Sequence, residues 1–373
     1  MRTIATAAAV IALLTATARA DAPAAPAADA THVIEMLGLR ADTRAAREYA
    51  HWRPLRRIVV RGDFGADARS YLAPAAAGAE IIVAATPAEA LAAAPGADAF
   101  LGYCEADLLA AAPQARWIQA FSAGVERCVA IPALRERAIV VTNMQRVLGP
   151  AMAEHAMALL LALSRRLDAW IEHGRTGTWS ASTGDGVPVR VLAGKTLLVA
   201  GLGGIGTEVA KRAHALGMHV IATRASGRPG PPFVEYVGGP DELAALATRA
   251  DAIVAALPLT RATTGLFDAR FFASMKRGAY FINVGRGASV VTDDLVAALR
   301  SGQVGGAGLD VTDPEPLPSR HPLWHAPRTI VTPHMSATSD ADHDNRRVIV
   351  RENLRRYQAG EALLSVVDVA RGY

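Results

Sequence analysis

The stretch LLVAGLGGIGTEVAKRAHALGMHVIATRASGR, residues 197–228, decides the fold. It opens on a short apolar run typical of a buried strand, and the segment after the glycines is typical of a helix. The pattern G-x-G-x-x-G lies between them and consists of Gly201, Leu202, Gly203, Gly204, Ile205 and Gly206. A strand, this glycine turn and a helix, in that order, predict the phosphate-binding start of a dinucleotide-binding unit.

The three glycines of the pattern have separate steric roles. Gly201 permits the tight turn, Gly203 leaves room for a pyrophosphate, and Gly206 lets the helix pack closely on the strand. The backbone N–H groups at the helix start then face the phosphates. A glycine turn that binds no ligand is the alternative interpretation.

The end of the second strand favours one dinucleotide over the other. A site for NAD usually carries an acidic residue about 20 positions beyond the motif, to bind the ribose hydroxyls. Arg224 occupies that place, with Ser226 and Arg228 close behind it. A guanidinium attracts the 2′-phosphate of NADP, so we expect NADP, with NAD as the alternative if Arg224 merely stacks on the adenine.

Strand and helix patterns alternate on both sides of the glycine turn. Strands are predicted within ADAFLGY and ARWIQAFSAGV, and at 58–60, 81–84, 196–200, 219–222, 252–256, 280–283, 306–309 and 329–331. We expect a helical, connecting segment at 31–52, one long helix over 149–179, a Gly- and Pro-rich loop over 225–240 and a last helix that returns to the first unit. The alternation predicts two α/β units of unequal size, with parallel sheets and helices on both faces.

The amino-terminal residues MRTIATAAAVIALLTATARA have the pattern of a signal peptide. Arg2 provides the positive start, residues 4–14 are apolar, and the run Ala18, Arg19, Ala20 resembles a cleavage site. We therefore expect residues 1–20 to be a signal peptide and the protein to be exported or periplasmic. A cytoplasmic protein with a misassigned start codon is the alternative.

Composition excludes several classes of partner. The formal net charge is +4 without a long run of Lys or Arg, so we expect neither a nucleic-acid nor a membrane partner. The two cysteines, Cys104 and Cys128, have no C-x-x-C spacing and no nearby histidine, so we predict no metal site. Buried free thiols are the preferred interpretation, and a disulfide in an oxidising compartment is the alternative.

Three polar residues follow three successive predicted strands. Arg286 lies in FINVGRGASVV, Glu315 in GLDVTDPEPLP and His334 in IVTPHMSATS. The carboxyl ends of parallel strands share one edge of a sheet, where a dinucleotide also binds. We therefore expect the three side chains to converge at the nicotinamide. Each taken alone also has a purely structural explanation: Arg286 in a surface turn, Glu315 in a solvated loop and His334 as a capping or core histidine.

Seven motifs in a fixed order resemble the D-isomer-specific 2-hydroxyacid dehydrogenase family. They are WIQAFSAGVE, AEHAMALLLAL, GLGGIG, LPLTRATTGLF, INVGRGASV, GLDVTDPEPLP and PLWHAPRTIVTPH. The resemblance implies an α/β fold with two Rossmann-like domains, each a doubly wound parallel sheet, and a cleft between them. It also implies a flavodoxin-like substrate-binding domain from 21–148 plus 335–373, a dinucleotide-binding domain from 149–334, and a homodimer with the long helix at its interface.

The resemblance implies roles for the matching residues. Arg286 matches the arginine that binds the substrate carboxylate and carbonyl oxygen, His334 matches the acid/base, and Glu315 matches its partner carboxylate. The N–H groups of Ala123 and Gly124 match the loop that binds the substrate carboxylate. The matching cofactor-cleft positions are Leu257, Pro258, Thr260, Val284, Gly285 and Asp310.

The implied reaction interconverts a 2-oxo acid and a D-2-hydroxy acid. Hydride reaches C2 from the cofactor while protonated His334 supplies a proton to the oxygen, and Glu315 favours the charged imidazolium. The alternative from another functional class is a nucleotide-sensing protein of the same fold that has lost its catalytic activity. A formate dehydrogenase is disfavoured because it has glutamine where Glu315 stands, and a phosphite-oxidising relative stays open.

Overall fold

The computed structural model describes residues 29–372, and the predicted signal peptide lies outside them. The strands are β1 (Ala41–Ala45), β2 (Arg57–Arg61), β3 (Glu80–Ala84), β4 (Ala99–Leu101), β5 (Trp117–Gln119), β6 (Val140–Thr142), β7 (Thr196–Ala200), β8 (His219–Thr223), β9 (Tyr236–Gly238), β10 (Ala252–Ala255), β11 (Ala279–Asn283), β12 (Val304–Leu309), β13 (Thr329–Val331) and β14 (Ala362–Leu364). Every predicted strand is present within a residue or two of its expected bounds.

The α-helices of the same residues alternate with these strands. They are α1 (Ala30–Met36), α2 (Ala68–Ala76), α3 (Pro87–Ala93), α4 (Ala106–Ala111), α5 (Glu126–Val129), α6 (Pro132–Glu136), α7 (Gly149–Ser164), α8 (Leu167–Arg175), α9 (Gly204–Ala215), α10 (Leu243–Ala247), α11 (Ala269–Ser274), α12 (Thr292–Arg300) and α13 (Asp340–Ala359). None of the helices within residues 29–372 is long and apolar enough to cross a membrane.

Two parallel sheets form the framework and confirm the predicted fold class. The first has the strand order β3-β2-β4-β5-β6, and all its strands precede Gly149. The second has the order β13-β12-β11-β10-β7-β8-β9, and all its strands follow Gly149. The central strands are apolar throughout because helices cover both faces. In the second sheet the chain order reverses beside β7, which is where doubly wound sheets bind ligands.

The last long helix, α13, returns to the first sheet. Its Tyr357 stacks on Trp117 of β5 with ring centroids 5.1 Å apart, and both rings are fully buried. The buried Asn353 of α13 donates to Gln119 Oε1 at 2.9 Å. Residues far apart in the chain therefore share one hydrophobic core, as expected for a last helix that returns to the first unit.

The predicted long helix over 149–179 is wrong in its length. It consists of α7 and α8, and the break is at Arg166, which adopts a left-handed φ of 60°. The Arg166 guanidinium is buried and lies 2.8 Å from Asp185, whose pKa it holds well below the usual range. This ion pair to a later loop ends the helix, and such a long-range contact leaves no local signal in the sequence.

Two further regions differ from the prediction. The 31–52 segment contains β1, which pairs antiparallel with β14 near the other end of the chain. The Gly- and Pro-rich segment over 225–240 contains β9, which extends the second sheet beside β8. Both strands lie at a sheet edge or in a two-stranded pair, where tertiary contacts decide the conformation more than local propensity does.

The expectation of free thiols is wrong. Cys104 and Cys128 form a disulfide with a Cα–Cα separation of 5.4 Å. The bond joins the loop after β4 to helix α5, which begins at Glu126. The sequence alone could not select this pairing because the proximity of the two residues arises only when β4 and α5 pack together.

Candidate active site

The glycine turn after β7 has the shape that a dinucleotide requires. Gly201 has a left-handed φ of 99°, and a Cβ there would lie 2.8 Å from the Ala256 carbonyl oxygen. A Cβ on Gly206 would lie 2.1 Å from the Gly201 oxygen, whereas one on Gly203 would meet nothing within 4 Å. The turn is therefore closed on the protein side and open in front of α9, so the residues present fit a bound pyrophosphate.

The two apolar positions of the turn anchor it. Leu202 is buried in the core between the second sheet and α7. Ile205 packs against this core and also against the core of the first sheet. The glycine turn consequently contacts both halves of the molecule.

Loops after the neighbouring strands form the opposite wall of the cleft. Leu257 and Pro258 follow β10, Gly285 follows β11, and all three line one cavity with the glycine turn. Val284 is fully buried behind them. The backbone N–H of Thr260 donates to Thr263 Oγ1 at 2.8 Å, which stabilises the loop that carries Pro258.

The loop that follows β8 carries arginine side chains that are held by hydrogen bonds. Arg224 donates from Nε to the Leu202 carbonyl oxygen at 2.8 Å and from Nη1 to the Pro229 oxygen at 2.8 Å. Arg228 donates from Nε to Ser226 Oγ at 3.3 Å. Burial, together with Arg228 and Arg146 nearby, lowers the pKa of Arg224. Several positive charges thus gather around a turn without a carboxylate at position 224.

His334 and Glu315 form a direct pair. His334 Nδ1 lies 2.6 Å from Glu315 Oε1, and both side chains are about half exposed. The carboxylate therefore engages Nδ1 and leaves Nε2 for another partner. Glu315 follows β12 and His334 follows β13, which are adjacent strands of one sheet.

Asp310 has a role that the sequence did not suggest. The resemblance places it among the cofactor-cleft positions, and its side chain is fully buried and accepts hydrogen bonds from Thr332 Oγ1 at 2.7 Å and from the N–H groups of Met335 and Ser336. Burial favours the neutral acid, but these hydrogen bonds outweigh it and lower the pKa of Asp310. The carboxylate therefore fixes the segment that carries His334.

His155 of α7 extends this network. Its Nε2 lies 2.8 Å from Thr332 Oγ1 and 3.7 Å from Asp310 Oδ1. The motif AEHAMALLLAL contained this histidine, but nothing in the motif itself indicated a contact with the loop after β13.

Arg286 lies across the cleft from the first sheet. Its backbone oxygen accepts from the Asn283 amide at 3.0 Å and from the Ser289 hydroxyl at 2.6 Å, which hold the turn in place. A Cβ on Gly124 would lie 1.6 Å from Arg286 Nη2, so any larger residue here would displace the guanidinium from its present position. Arg286 Nε also lies 3.0 Å from Glu126 Oε1.

The predicted residues thus fall into two groups, in which Arg286, Glu315 and His334 follow adjacent strands of the second sheet. His334 and Glu315 form one, and Arg286 with Ala123 and Gly124 forms the other, which lines the cleft. Within residues 29–372, no hydrogen bond or ion pair joins Arg286 to His334. Glu126, the ion-pair partner of Arg286, was part of the motif WIQAFSAGVE, but its contact with the other domain was not predicted.

Known proteins are similar to this chain in sequence and in fold. The family model described as D-isomer specific 2-hydroxyacid dehydrogenase, NAD binding domain, matches residues 157–336. The chain is 36% identical over 257 residues to the glyoxylate reductase/hydroxypyruvate reductase of Mus musculus, covering 69% of this chain and 78% of that protein. The chain belongs to the D-isomer specific 2-hydroxyacid dehydrogenase family.

Solved structures of this dehydrogenase family extend the match to most of the chain. A family member from Aeromonas salmonicida superposes with a TM-score of 0.73 at 32% identity, covering 84% of this chain and 99% of that one. An NADPH-dependent glyoxylate/hydroxypyruvate reductase from Sinorhizobium meliloti, solved with NADP, has a TM-score of 0.73 at 30% identity, covering 85% and 99%. The protein is therefore an NAD(P)-dependent 2-hydroxyacid dehydrogenase, as predicted.

Proposed function

We propose that this dehydrogenase reduces a small 2-oxo acid to the D-2-hydroxy acid, with His334 as the acid/base. The observation that carries the proposal is the 2.6 Å contact between His334 Nδ1 and Glu315 Oε1 at the carboxyl edge of the second sheet. Because Glu315 orients the ring through Nδ1, Nε2 is the nitrogen that exchanges a proton with the substrate oxygen. It donates in the reductive direction and accepts in the oxidative direction.

Arg286 and the loop after β5 bind the carboxylate of the substrate in this proposal. Within the part of the chain that the structure describes, the backbone N–H groups of Ala123 and Gly124 have no protein acceptor. The Ser122 hydroxyl donates to the Gly124 carbonyl at 2.7 Å and the Asn143 amide donates to the Ala123 carbonyl at 2.7 Å. These bonds hold the carbonyls, so the N–H groups beside the guanidinium remain for an anion.

The glycine turn holds the cofactor. The phosphates of a bound cofactor would lie at the start of α9, where Gly203 is open, and Leu257, Pro258 and Gly285 would enclose the other side. The bound cofactor supplies or accepts the hydride at C2 of the substrate.

We further propose a preference for NADP over NAD. Arg224, Ser226 and Arg228 surround the end of β8, where NAD-specific sites have a carboxylate. A cationic loop at this place stabilises a 2′-phosphate, whereas an acidic residue would repel it.

A cofactor and substrate screen tests the activity. The protein starting at Asp21 is mixed with NADPH or NADH and a 2-oxo acid, beginning with glyoxylate and hydroxypyruvate because similar proteins carry those names, and then phenylpyruvate. The expected result is consumption of the reduced cofactor, faster with NADPH, and formation of the D product. Tight NADPH binding without turnover of any 2-oxo acid would favour the nucleotide-sensing alternative.

We propose that the protein is exported to an oxidising compartment. The signal-peptide pattern of residues 1–20 and the Cys104–Cys128 disulfide support this location. Fractionation of the native cell with thiol labelling tests it. Recovery in the cytoplasm with both thiols reactive would contradict the proposal and favour the cytoplasmic alternative.

We propose a homodimer whose interface includes α8. Most of the apolar side of α7 is buried within the chain, whereas Leu167 and Ile171 of α8 are 44% and 56% exposed. Trp179, in the loop that follows, is fully exposed. Burial of these side chains against a second copy would remove an apolar surface from water. Light scattering of the wild type and of Ile171→Asp tests the proposed dimer. The mass of a monomer for both proteins would contradict it.

A further inference from the structure

Arg146 has an unfavourable backbone conformation for its residue type. It lies in the segment that joins β6 to α7 and has a left-handed φ of 69°. Two bonds close the turn around it: the Gln145 N–H donates to Asn143 Oδ1 at 3.2 Å and the Val147 N–H donates to the Met144 oxygen at 3.1 Å. Glycine adopts this conformation freely, and a bulky residue held in it suggests a function for the side chain.

The Arg146 side chain packs on the start of α9. A Cβ on Gly204, the first residue of that helix, would lie 2.8 Å from Arg146 Cγ. Gly204 has no left-handed conformation that would itself require glycine, so the arginine is what excludes a side chain there. The first turn of α9 leaves backbone N–H groups without helical acceptors, and the helix dipole adds positive potential at the same place.

The Arg146 guanidinium has no direct partner in the protein: within residues 29–372, no hydrogen bond or ion pair engages it. Burial lowers the pKa of Arg146. The nearby cations Arg40 and Arg228 lower it further, whereas the negative charge of Glu208 raises it. The Glu208 carboxylate, however, already pairs with Arg212 at 2.5 Å. A half-buried cation at a helix start, among other cations, is complementary to an anionic ligand.

We propose that Arg146 binds the pyrophosphate of the dinucleotide, opposite the N–H groups of α9. This proposal rests on the cofactor role of the glycine turn in the proposed function. Arg146 lines the same cavity as Gly203, Gly204 and Gly285, whereas Arg224 follows the end of β8, where the adenosine ribose of a bound dinucleotide would lie. The two arginines therefore serve different phosphates: Arg146 serves the pyrophosphate that NADH and NADPH share, and Arg224 serves the 2′-phosphate.

The test compares Arg146→Gly with the wild type in direct binding measurements. Glycine removes the guanidinium and suits the left-handed turn, so thermal unfolding should show a melting temperature no lower than that of the wild type. Dissociation constants are measured by calorimetry for NADPH, NADH, ADP and adenosine. Arg249→Ala, which removes an exposed arginine after α10, controls for the change in net charge.

The expected result is a loss of affinity of about 10- to 100-fold for NADPH, NADH and ADP, the effect of one charge-assisted contact, with adenosine unaffected. Unchanged affinities in Arg146→Gly would overturn the proposal. A loss confined to NADPH would also overturn it, because that result assigns Arg146 to the 2′-phosphate. A wild-type protein that binds neither NADH nor NADPH would instead refute the proposed function of the turn.

Discussion

Two histidine–glutamate pairs in this dehydrogenase have the same geometry but different surroundings. The Nδ1–Oε1 distance is 2.6 Å in both His334–Glu315 and His219–Glu235, and all four side chains are about half exposed. His334 follows the carboxyl end of β13, whereas His219 is the first residue of β8 and lies at the opposite edge of the sheet. Position relative to the cleft, and not the pair itself, makes His334 the candidate acid/base.

Replacing His334 tests its chemical role. His334→Ala should lower kcat by about 10²- to 10⁴-fold, because that is the usual cost of removing a general acid or base. Steady-state kinetics with the best 2-oxo acid provide the measurement. His219→Ala is the matched control and should retain wild-type kcat. Near-normal kcat in His334→Ala would remove this residue from the mechanism.

Glu126 is the residue that orients Arg286 across the cleft. Glu126→Gln removes the charge that holds the guanidinium at 3.0 Å and should raise the KM for the 2-oxo acid by about tenfold, the effect of one charged contact. The dissociation constant of NADPH should not change, since the Glu126 side chain pairs with Arg286 and not with the glycine turn. An unaltered KM would mean that substrate binding does not depend on this ion pair.

At the scale of elements, a buried carboxylate organises the loop that carries His334. Asp310, at the end of β12, accepts from Thr332 and from the backbone of residues 335–336 after β13. The His334 N–H also donates to the Asp310 carbonyl oxygen at 2.8 Å. Adjacent strands are thus joined beyond the end of the sheet, and the imidazole is presented on a rigid segment.

Asp310→Asn should destabilise the protein by about 2 kcal/mol and lower kcat, because the amide replaces a charged acceptor. The folded-state pKa of Asp310 is below the unfolded value, so its stabilisation is present above a pH of about 4 and is lost as the pH falls through the folded-state pKa. Denaturant unfolding of wild type and variant as a function of pH measures this difference, which should shrink at low pH.

Asp251→Asn is the control for that experiment. Asp251 precedes β10 at the opposite edge of the sheet, accepts from the Thr196 N–H at 2.9 Å and also has a lowered pKa. Its replacement should reduce stability without changing kcat. Equal losses of kcat in both variants would show that Asp310 acts only through global stability.

At the scale of the whole molecule, a covalent bond links two segments of the unit that contains the first sheet. The Cys104–Cys128 disulfide encloses a sequence separation of 24 residues and joins the loop after β4 to the helix that begins at Glu126. The loop 122–125, which we propose binds the substrate carboxylate, lies within this closed segment. A disulfide restricts the unfolded chain, so it contributes stability to the domain that carries this loop.

Replacing both cysteines should lower the free energy of unfolding by roughly 3 kcal/mol, given the length of the closed loop. Urea titrations of the wild type and of Cys104→Ser/Cys128→Ser, each with and without a reductant, measure the effect. The reductant should destabilise the wild type and leave the double variant unchanged. Equal midpoints for oxidised wild type and double variant would contradict a stabilising bond.

The sequence by itself determined the central strands, the glycine turn and the shared edge that carries Arg286, Glu315 and His334. These features depend on the local periodicity of apolar residues, on the steric needs of single glycines and on the rule that parallel strands end at one edge. Each of these can be read from short stretches of the chain. The match to seven ordered motifs then indicated the family, which the comparisons confirmed.

Only the tertiary structure decided the contacts between distant segments. The break at Arg166 depends on Asp185, β9 depends on β8, β1 depends on β14, and the disulfide depends on how α5 packs near β4. The pairing of Arg286 with Glu126 and the position of Arg146 on Gly204 likewise need both sheets in place. Local propensity cannot encode these contacts, because their free energy exists only after residues far apart in the chain have been brought together.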